Sequence, residues 1–266
     1  MTQPVYVATD PVAYEQQMGR WSSRLAQHLI AFARIGSPPS VLDLGCGTGS
    51  LTLALARALP EATITGVDLS EAFITYARSR TTDSRLTFEQ GDATALPYPD
   101  GSFDATLSLL VLNFVPAAGR AVQEMVRVTR LGGTVAAAVW DFQGGAIFLR
   151  ILMDTVAMVD PEGEAFRARQ CAYPLTAPGE LAAAWAEAGL REVEQVSLTI
   201  RMEFTSFADY FGPWLAGQGA IGAFVASRTA EQREQIVQHL KRAYLAGGED
   251  GPRSFAATAW AVRGIR

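Results

Sequence analysis

The sequence predicts an α/β fold in which a mostly parallel β-sheet lies between two layers of helices. Apolar segments of strand length alternate with segments of helical periodicity, which is the order that consecutive β-α-β units produce. Three glycines at alternate positions follow the first apolar segment, and an acidic residue ends the next one about twenty residues later, as in nucleoside-binding α/β folds. The 266 residues are enough for one large α/β domain with an added cap.

We expect seven strands in this sheet. They cover residues 40–44, 62–67, 85–89, 103–109, 134–140, 191–202 and 255–262. The helices between them are expected at residues 50–59, 70–79, 117–129 and 178–188. Ser70 has the residue type that caps a helix N-terminus, and Gly189 the type that ends a helix.

An N-terminal helix and two helical inserts distinguish the chain from a minimal sheet domain. We place a helical segment at residues 1–35 and the main domain at 36–266, with inserts at about 144–175 and 204–248. Gly212-Pro213 and the glycines between 217 and 222 are expected to break the second insert. The first helix carries large side chains at intervals of three and four residues, which are Tyr14, Met18, Trp21, Leu25, His28 and Phe32. We expect Leu25 and Phe32 to be buried.

Composition excludes several classes of function. The net charge is −5, from 22 basic and 27 acidic residues, and the basic residues form no stripe that could follow phosphates, so no nucleic-acid partner is expected. No apolar run approaches the roughly 20 residues of a spanning helix, and residues 1–20 lack the layout of a signal peptide. We therefore expect no stable membrane insertion and a cytoplasmic location. Cys46 and Cys171 are expected to be reduced, with no metal site.

The segment at residues 41–50 carries the strongest functional signal. Its apolar strand leads into Gly45, Gly47 and Gly49, and then into a helix that Pro60 ends. Because glycine has no Cβ, such a turn can adopt positive φ angles and let a ligand approach the main chain closely. The helix after the turn directs unpaired N–H groups toward that ligand.

Two acidic residues indicate what kind of ligand binds there. Asp68 ends the second predicted strand, and a carboxylate at this position can accept hydrogen bonds from both hydroxyls of a ribose. Asp43 lies just before the glycines, where it would repel a pyrophosphate and attract an amino group. A dinucleotide fingerprint would also place its third glycine one residue later, where this chain has Ser50. The pattern favours a nucleoside that carries an ammonium group and no phosphate.

Four ordered motifs resemble those of the class I S-adenosylmethionine-dependent methyltransferases. They are Asp43-Leu44-Gly45-Cys46-Gly47-Thr48-Gly49, Gly66-Val67-Asp68-Leu69-Ser70, Gln90-Gly91-Asp92-Ala93 with the Leu96-Pro97-Tyr98 and Ser102-Phe103-Asp104 that follow, and Arg127-Val128-Thr129-Arg130-Leu131-Gly132-Gly133. In the last motif Leu131 replaces the usual proline. The resemblance covers about residues 14–140 and is closest to the small-molecule branch that includes the ubiquinone and menaquinone biosynthesis methyltransferases. It implies a three-layer, Rossmann-like sheet, S-adenosyl-L-methionine as cofactor, and methyl transfer.

The resemblance also implies which residues contact the cofactor. At the methionine end these are the main chain of Gly45 and Cys46, the turn shaped by Gly47 and Gly49, the Asp43 carboxylate, and a carbonyl from Ser108 or Leu109. At the adenosine end they are Asp68 for the ribose, Leu69 for the adenine face, Asp92 for the exocyclic amine and the Ala93 N–H for a ring nitrogen. The residue types at 91–92 would also suit a simple turn after a strand. Tyr14, Arg20 and Trp21, in the first turns of the N-terminal helix, are expected to form a lid over the cofactor and the acceptor.

The acceptor is expected to be a small, partly apolar molecule. Its candidate contacts are Asn113 and Phe114 after the fourth strand, and Trp140 and Asp141 at the end of the fifth strand. The inserts contribute Phe148, Met153, Met158, Phe204, Phe207, Tyr210, Phe211, Trp214 and Phe224, which would either wall an apolar pocket or form the core of the cap. Whether the methyl group goes to oxygen, nitrogen or carbon is left open.

No catalytic residue is assigned from the sequence. A sulfonium methyl group is already electrophilic, so an in-line displacement needs mainly alignment and exclusion of water. A hydroxyl acceptor would benefit from a general base, and the two histidines of the chain are His28 and His239. We expect His28 to pack within the apolar stripe of the first helix and His239 to lie on an exposed helix.

Other functions share parts of this pattern. A nicotinamide-dependent oxidoreductase would use the same sheet and Asp68, but the glycine spacing and Asp43 oppose it. A non-catalytic nucleoside-binding module would have the same fold without turnover. Aminopropyl transfer from the decarboxylated cofactor would leave Asp43 without an amino-acid group to face. The oligomeric state is open between a monomer and a homodimer.

Overall fold

Seven strands form a single sheet over the residues that the computed structural model describes, which are 10–215, 217 and 219–266. The strands are β1 (Ser40–Leu44), β2 (Thr63–Asp68), β3 (Leu86–Gln90), β4 (Phe103–Leu109), β5 (Thr129–Trp140), β6 (Arg191–Phe204) and β7 (Arg253–Ile265). Their order is β3-β2-β1-β4-β5-β7-β6. Strand β7 is antiparallel to both neighbours, and the other pairs are parallel. This arrangement confirms the predicted mostly parallel, Rossmann-like sheet.

The position of β1 in this order creates a binding crevice. After β1 the chain continues to β2 and β3, and then returns to the other side of β1 to form β4. The connections that follow β1 and β4 therefore leave in opposite directions along the sheet. In open α/β sheets, ligands bind at this point, outside the carboxyl ends of the strands.

Helices cover both faces of the sheet and form the cap. They are α1 (Pro11–Tyr14), α2 (Arg20–Ala33), α3 (Ser50–Ala58), α4 (Glu71–Ser79), α5 (Ala118–Val128), α6 (Ile147–Val159), α7 (Gly163–Cys171), α8 (Glu180–Glu187), α9 (Phe207–Leu215), α10 (Gly219–Ala226) and α11 (Ala230–Leu245). A π-helical turn (Glu15–Gly19) joins α1 to α2, and a short 3₁₀ turn (Leu112–Phe114) follows β4. The Ser70 hydroxyl accepts from the Phe73 N–H at the start of α4, which confirms the predicted cap.

The core lies on both sides of the sheet because successive strand residues point to opposite faces. Val41 belongs to the same buried cluster as Leu25 of α2. The next residue, Leu42, belongs to a second cluster with Met125 of α5 and Trp185 of α8. The parallel strands are thus apolar on both faces, which agrees with their continuous apolar sequence.

Strand β5 begins earlier than predicted. It starts at Thr129 instead of residue 134, so it includes the last part of the fourth motif, from Arg130 to Gly133. The register between β4 and β5 shifts between Phe103 and Ala105, as at a β-bulge. Main chains approach closely at this point, since a Cβ on Gly133 would lie 2.5 Å from the Asp104 carbonyl oxygen.

The predicted break at Gly212-Pro213 is wrong. Pro213 lies inside α9. The side chains of Tyr210, Phe211 and Trp214 are all buried, and their burial stabilises the helix although proline removes one main-chain donor. The second predicted break is shorter than expected, because α10 already begins at Gly219.

The N-terminal helix differs from a regular helix at its π turn. A π turn contains more residues than an α turn, so side chains before and after it lie on different faces. Leu25 is buried and Phe32 packs partly buried against the core, as predicted. His28 is exposed, so its predicted packing is wrong. Residues 1–9 of the predicted N-terminal segment lie outside the described residues.

A partly buried ion pair, in which Glu124 is buried and Arg127 is half-buried, attaches helix α5 to the loop after β3. The Glu124 carboxylate accepts from the Leu96 N–H at 2.8 Å and from two nitrogens of the Arg127 guanidinium, each at 2.8 Å. Arg127 also donates to the carbonyls of Leu96 and Tyr98. The guanidinium holds the pKa of Glu124 below its ordinary value. These contacts fix the loop that begins at Asp92.

We expect Glu124→Gln to lower the free energy of unfolding by about 2–3 kcal/mol. The neutral amide would lose the charge-assisted hydrogen bonds, and its NH₂ group would face the N–H donors of Leu96 or Arg127. The lowered pKa means that the wild-type stabilisation is present above the ordinary glutamate pKa and is lost as the pH falls through the lowered value. Urea unfolding at pH 7 and pH 4 measures both effects. Glu71→Gln, which removes an exposed ion pair with Arg78, is the matched control and should cost less than about 0.5 kcal/mol.

Candidate active site

A cavity of about 700 Å³ lies at the carboxyl ends of β1, β2 and β4, where the order of the sheet predicts a ligand. Its size is in the ordinary range for small-molecule sites. The cofactor candidates that line it are Tyr14, Asp43, Gly45, Cys46, Gly47, Asp68, Leu69, Asp92, Ala93 and Leu109. The acceptor candidates that line it are Phe114 and Trp140.

The glycine turn after β1 is held by main-chain hydrogen bonds. The N–H groups of Gly45 and Cys46 both donate to the Val67 carbonyl, at 2.7 and 2.9 Å. Gly45, Gly47 and Gly49 have φ angles of +73°, +53° and +89°, which are the left-handed values that favour glycine. Gly49 occupies the N-cap position of α3 and does not line the cavity. The turn is thus rigid before any ligand binds.

Close packing adds a second requirement at the first glycine. A Cβ on Gly45 would lie 2.4 Å from a methyl carbon of Val111, just after β4. The turn after β1 and the segment after β4 therefore touch, and together they form the floor of the cavity.

Asp43 is a fully buried carboxylate on the cavity wall. Its Oδ2 accepts from the Thr52 hydroxyl at 2.6 Å, and its Oδ1 has no hydrogen-bond partner among the described residues. Burial raises the pKa of Asp43 to about 7. A buried oxygen without a partner is costly, and a cationic amino group would remove that cost.

Ser50 is a second buried group without a partner at the same end. It lines the cavity at the first position of α3, and its hydroxyl has no hydrogen-bond partner within the described part of the chain. In the sequence Ser50 is notable only because it replaces a glycine of the dinucleotide fingerprint. A hydroxyl beside a helix N-terminus suits a carboxylate. Asp43 and Ser50 together fit the two charged groups of an amino acid.

Asp68 lies at the end of β2 and links the glycine turn to the next helix. Its Oδ2 accepts from the Gly47 N–H and its Oδ1 from the Ser70 N–H, both at 2.9 Å. A carboxylate has about four lone-pair sites, so each oxygen can still accept from a ribose hydroxyl. Burial raises the pKa of Asp68 above its ordinary value.

The loop after β3 forms the other edge of the cavity. Asp92 is exposed, and its Oδ1 accepts from the N–H and the hydroxyl of Thr94, both at 2.8 Å. The simple turn that the residue types at 91–92 would suit is therefore present, and Asp92 also lines the cavity. Leu69 also lines the cavity, as an apolar side chain that is 63% exposed. An exposed leucine at a cavity mouth offers a surface for a flat ring.

Besides Gly49, five candidate site residues from the sequence do not line the cavity; they are Arg20, Trp21, Ser108, Asn113 and Asp141. Ser108 is buried in β4, and its hydroxyl donates to the Leu44 carbonyl at 2.8 Å where the β1–β4 pairing ends. The Asp141 carboxylate accepts from the N–H groups of Gln143 and Gly144, so it is used within a turn. These side chains serve the fold at the rim of the site.

Of the other members of this set, Arg20 and Trp21 have partners elsewhere, whereas the Asn113 amide has none among the described residues. Arg20 forms an ion pair with Asp209 of α9 at 2.9 Å. Trp21 packs edge-on against Phe204, with ring centroids 5.5 Å apart. Asn113 is buried, and its side-chain amide has no partner among the described residues. None of the three faces the space that a ligand would occupy.

The N-terminal helix crosses over the cavity and is attached at both ends. At one end the Glu15 carboxylate accepts from the Thr48 hydroxyl and from Arg80, and Arg80 donates to the Thr48 carbonyl at 2.9 Å. At the other end is the Arg20–Asp209 pair. Gln17 and Met18 lie between these attachments, Ser22 lies just beyond Arg20, and all three line the cavity; none of them was predicted from the sequence to contact a ligand.

The wall opposite the glycine turn is aromatic. It is formed by Trp140, Phe142, Leu149, Gln170, Tyr173, Trp214, Gly219, Ala220 and Ile221, a set that we call the acceptor wall. Among the apolar insert residues named from the sequence, Trp214 lines the cavity, whereas Met158 is 70% exposed and lines nothing. The others belong to the buried core of the cap, which is the second of the two roles that the sequence suggested for them.

The electrostatic character of the cavity is one-sided. Its charged lining residues are Asp43, Asp68 and Asp92, and no basic or histidine side chain of the described residues lines it. His239 lies on α11 with its Nδ1 2.9 Å from the Gln235 carbonyl. No cluster of metal-binding side chains occurs in residues 10–215, 217 and 219–266. In the same residues, no helix has the length and apolar character needed to span a bilayer.

Comparison with known proteins supports one reading of this geometry. Residues 42–137 match a family described as a methyltransferase domain. A demethylmenaquinone methyltransferase of Roseiflexus castenholzii is 35% identical over 176 residues, which are 61% of this chain and 74% of the relative. A 27-O-demethylrifamycin SV methyltransferase of Amycolatopsis mediterranei is 29% identical over 231 residues, or 84% of this chain and 74% of the relative.

A solved structure shows the same fold at lower identity. Geranyl diphosphate C-methyltransferase of Streptomyces coelicolor A3(2), in complex with Mg²⁺, geranyl diphosphate and S-adenosyl-L-homocysteine, aligns with a TM-score of 0.54 and 16% identity, covering 93% of this chain and 80% of that one. The comparisons give no support to the oxidoreductase alternative. This chain belongs to the S-adenosylmethionine-dependent methyltransferases.

Proposed function

We propose that the chain transfers a methyl group from S-adenosylmethionine to an oxygen, nitrogen or carbon atom of a small, largely apolar acceptor. The observation that carries this proposal is the division of one cavity into an acidic end and an aromatic end. The acidic end suits a nucleoside with an amino group, and the aromatic wall suits an apolar body. The shared cavity would bring the two reactants into contact.

The residues at the acidic end match successive parts of the cofactor, in the order in which they occur along the chain. Asp43 and Ser50 would hold the amino and carboxylate groups, since both have buried oxygens without partners. Asp68 would hold the ribose hydroxyls, and Leu69, Asp92 and Ala93 would contact adenine. The N–H groups of Gly45 and Cys46 already donate to Val67, so the contact from this turn would come from their remaining main-chain atoms.

The chain's own contribution to the reaction is alignment and exclusion of water. The bound cofactor supplies an electrophilic methyl group. The rigid glycine turn and the apolar segment at Leu110 and Val111 would fix one reactant, and the acceptor wall would fix the other. Holding reactants in line accounts for a large share of the rate in such displacements.

We further propose that the N-terminal helix is a lid, and that the enzyme acts in the cytoplasm. Support for the lid is that its residues line the cavity while its two ends attach to the glycine turn and to the cap. The two cysteines are free thiols, which agrees with a reducing compartment.

Asp68→Asn should weaken binding of S-adenosylhomocysteine about 100-fold, because it removes a charged acceptor from two ribose hydroxyls. Calorimetric titration with S-adenosylmethionine, S-adenosylhomocysteine and NAD measures this. The exposed Asp100→Asn variant is the control and should bind like the wild type. Binding of NAD alone by folded wild-type protein would reject the proposed cofactor. Selective binding of the adenosyl compounds would justify a screen of phenols, quinol precursors and amines for methyl uptake.

The affinity for S-adenosylhomocysteine should fall as the pH drops below about 7, where Asp43 takes up a proton and no longer attracts an amino group. The loss should approach tenfold per pH unit. Binding measured from pH 5.5 to 7.5 tests this, and Asp43→Asn should bind weakly with little pH dependence. Protonation of Asp43 cannot lower the affinity by unfolding the protein. A carboxyl pKa that is raised in the folded state makes the apo protein more stable as the pH falls. An equal slope in Asp43→Asn would contradict the assignment.

Glu15→Gln should speed dissociation of S-adenosylhomocysteine about three- to tenfold, because it weakens the attachment of the lid to Thr48 and Arg80. Stopped-flow fluorescence follows the release. Glu203→Gln is the matched control, since Glu203 forms an exposed ion pair with Arg24 farther along the same helix and should leave the rate unchanged. Identical release rates in both variants would show that this segment does not gate the site.

A further inference from the structure

Three aromatic rings form a continuous surface where the acceptor wall meets the segment after β4. The ring centroids of Phe114 and Tyr173 are 5.2 Å apart, those of Phe142 and Tyr173 are 5.4 Å apart, and those of Phe114 and Phe142 are 6.4 Å apart. All three pairs are tilted or edge-on, the favourable geometry for aromatic contacts. Tyr173 is therefore fixed in place by its two neighbours.

The acceptor wall contains very little polarity. Apart from the tryptophan indoles, its polar side chains are Gln170 and Tyr173, which are only 4% and 7% exposed. Burial raises the pKa of Tyr173 above its ordinary value. The hydroxyl therefore keeps its proton at neutral pH and can donate it to a ligand.

This polar pair has no evident role toward the cofactor. The groups of the cofactor that form hydrogen bonds are matched by Asp43, Ser50, Asp68 and Asp92, on elements β1, α3, β2 and the loop after β3. Gln170 and Tyr173 come from the end of α7 and the turn after it, in the first insert. Buried polar groups in an apolar wall commonly fix the orientation of a ligand. Their position assigns them to the acceptor.

The charges around the cavity limit what the acceptor can be. No basic side chain among the described residues lines the cavity, and all its charged groups are carboxylates. A phosphate or carboxylate on the acceptor would lose its water without gaining a cation, which is unfavourable. A neutral body with a single oxygen would satisfy both the rings and the Tyr173 hydroxyl.

We propose that Tyr173, held between Phe114 and Phe142, donates a hydrogen bond to an oxygen of a neutral, largely apolar acceptor and so selects acceptors that carry such an oxygen. This inference rests on the proposed methyl transfer and specifies the acceptor class. Tyr173 acts here as a specificity-determining residue that orients the acceptor. Discrimination by a site with a buried donor is strong, because a ligand that lacks the oxygen leaves that donor unpaired.

The test uses three probes of similar shape on the full-length protein saturated with S-adenosylhomocysteine: 2-naphthol, 2-methylnaphthalene and 2-naphthoate. Titration followed by ligand-observed NMR gives the three affinities. Wild-type protein should bind 2-naphthol about three- to tenfold more tightly than 2-methylnaphthalene, and 2-naphthoate most weakly. Tyr173→Phe keeps the ring and should abolish the preference for the hydroxyl compound. Tyr244→Phe is the matched control, a buried tyrosine whose hydroxyl donates to Gly251 away from the cavity.

Several outcomes would overturn the inference. These are equal affinity of the wild type for the hydroxyl and hydrocarbon probes, a preference that persists in Tyr173→Phe, tighter binding of 2-naphthoate, or no binding of any probe. The affinity of each variant for S-adenosylhomocysteine is measured first. A protein that does not bind S-adenosylhomocysteine counts against the proposed function, whereas normal binding with no hydroxyl preference counts against the role of Tyr173 alone.

Discussion

The acidic end of the cavity depends on one constraint, which is the attachment of the glycine turn to the end of β2. One carbonyl, that of Val67, receives the N–H groups of both Gly45 and Cys46, and the Asp68 carboxylate receives that of Gly47. These bonds force the chain into left-handed conformations that glycine adopts without strain. The same turn leaves no room for a side chain at Gly45, because Val111 fills that space. Three strand ends are thereby locked together before a cofactor arrives.

Preorganisation of this kind has an electrostatic cost, which is concentrated at Asp43. A carboxylate with no exposure to solvent and one oxygen without a partner disfavours its own ionised form. Thr52 compensates for only part of the lost hydration. A ligand ammonium would complete the compensation. The electrostatic cost in the free protein and the affinity for the cofactor would then have the same physical origin. In the proposed complex, this coupling would account for an acidic residue within an otherwise apolar strand.

The sequence predicted those features that depend on main-chain conformation. Alternate glycines and the following acid indicate one turn geometry, and the strands agree because their apolar runs must be buried on both faces. The predictions from the sequence failed where the role of a residue depends on the direction in which its side chain points. Ser108 and Asp141 lie at strand ends near the site, yet one donates into the sheet and the other closes a turn. Gln170 and Tyr173 gave no signal, since helical periodicity in an insert does not show which residues will face a cavity that distant segments complete.

The two halves of the cavity also differ in how they are assembled. The acidic half consists of neighbouring strand ends together with the turns and the helix start that directly follow them. The aromatic half needs both inserts, and the N-terminal helix connects it to the acidic half through Glu15 and Arg20. The π turn makes this possible, and Gly19 is part of it because a Cβ there would lie 2.3 Å from the Glu15 carboxyl carbon. The segments that build the aromatic half can therefore vary without altering the strand ends of the acidic half, and one fold can host different functions in this way.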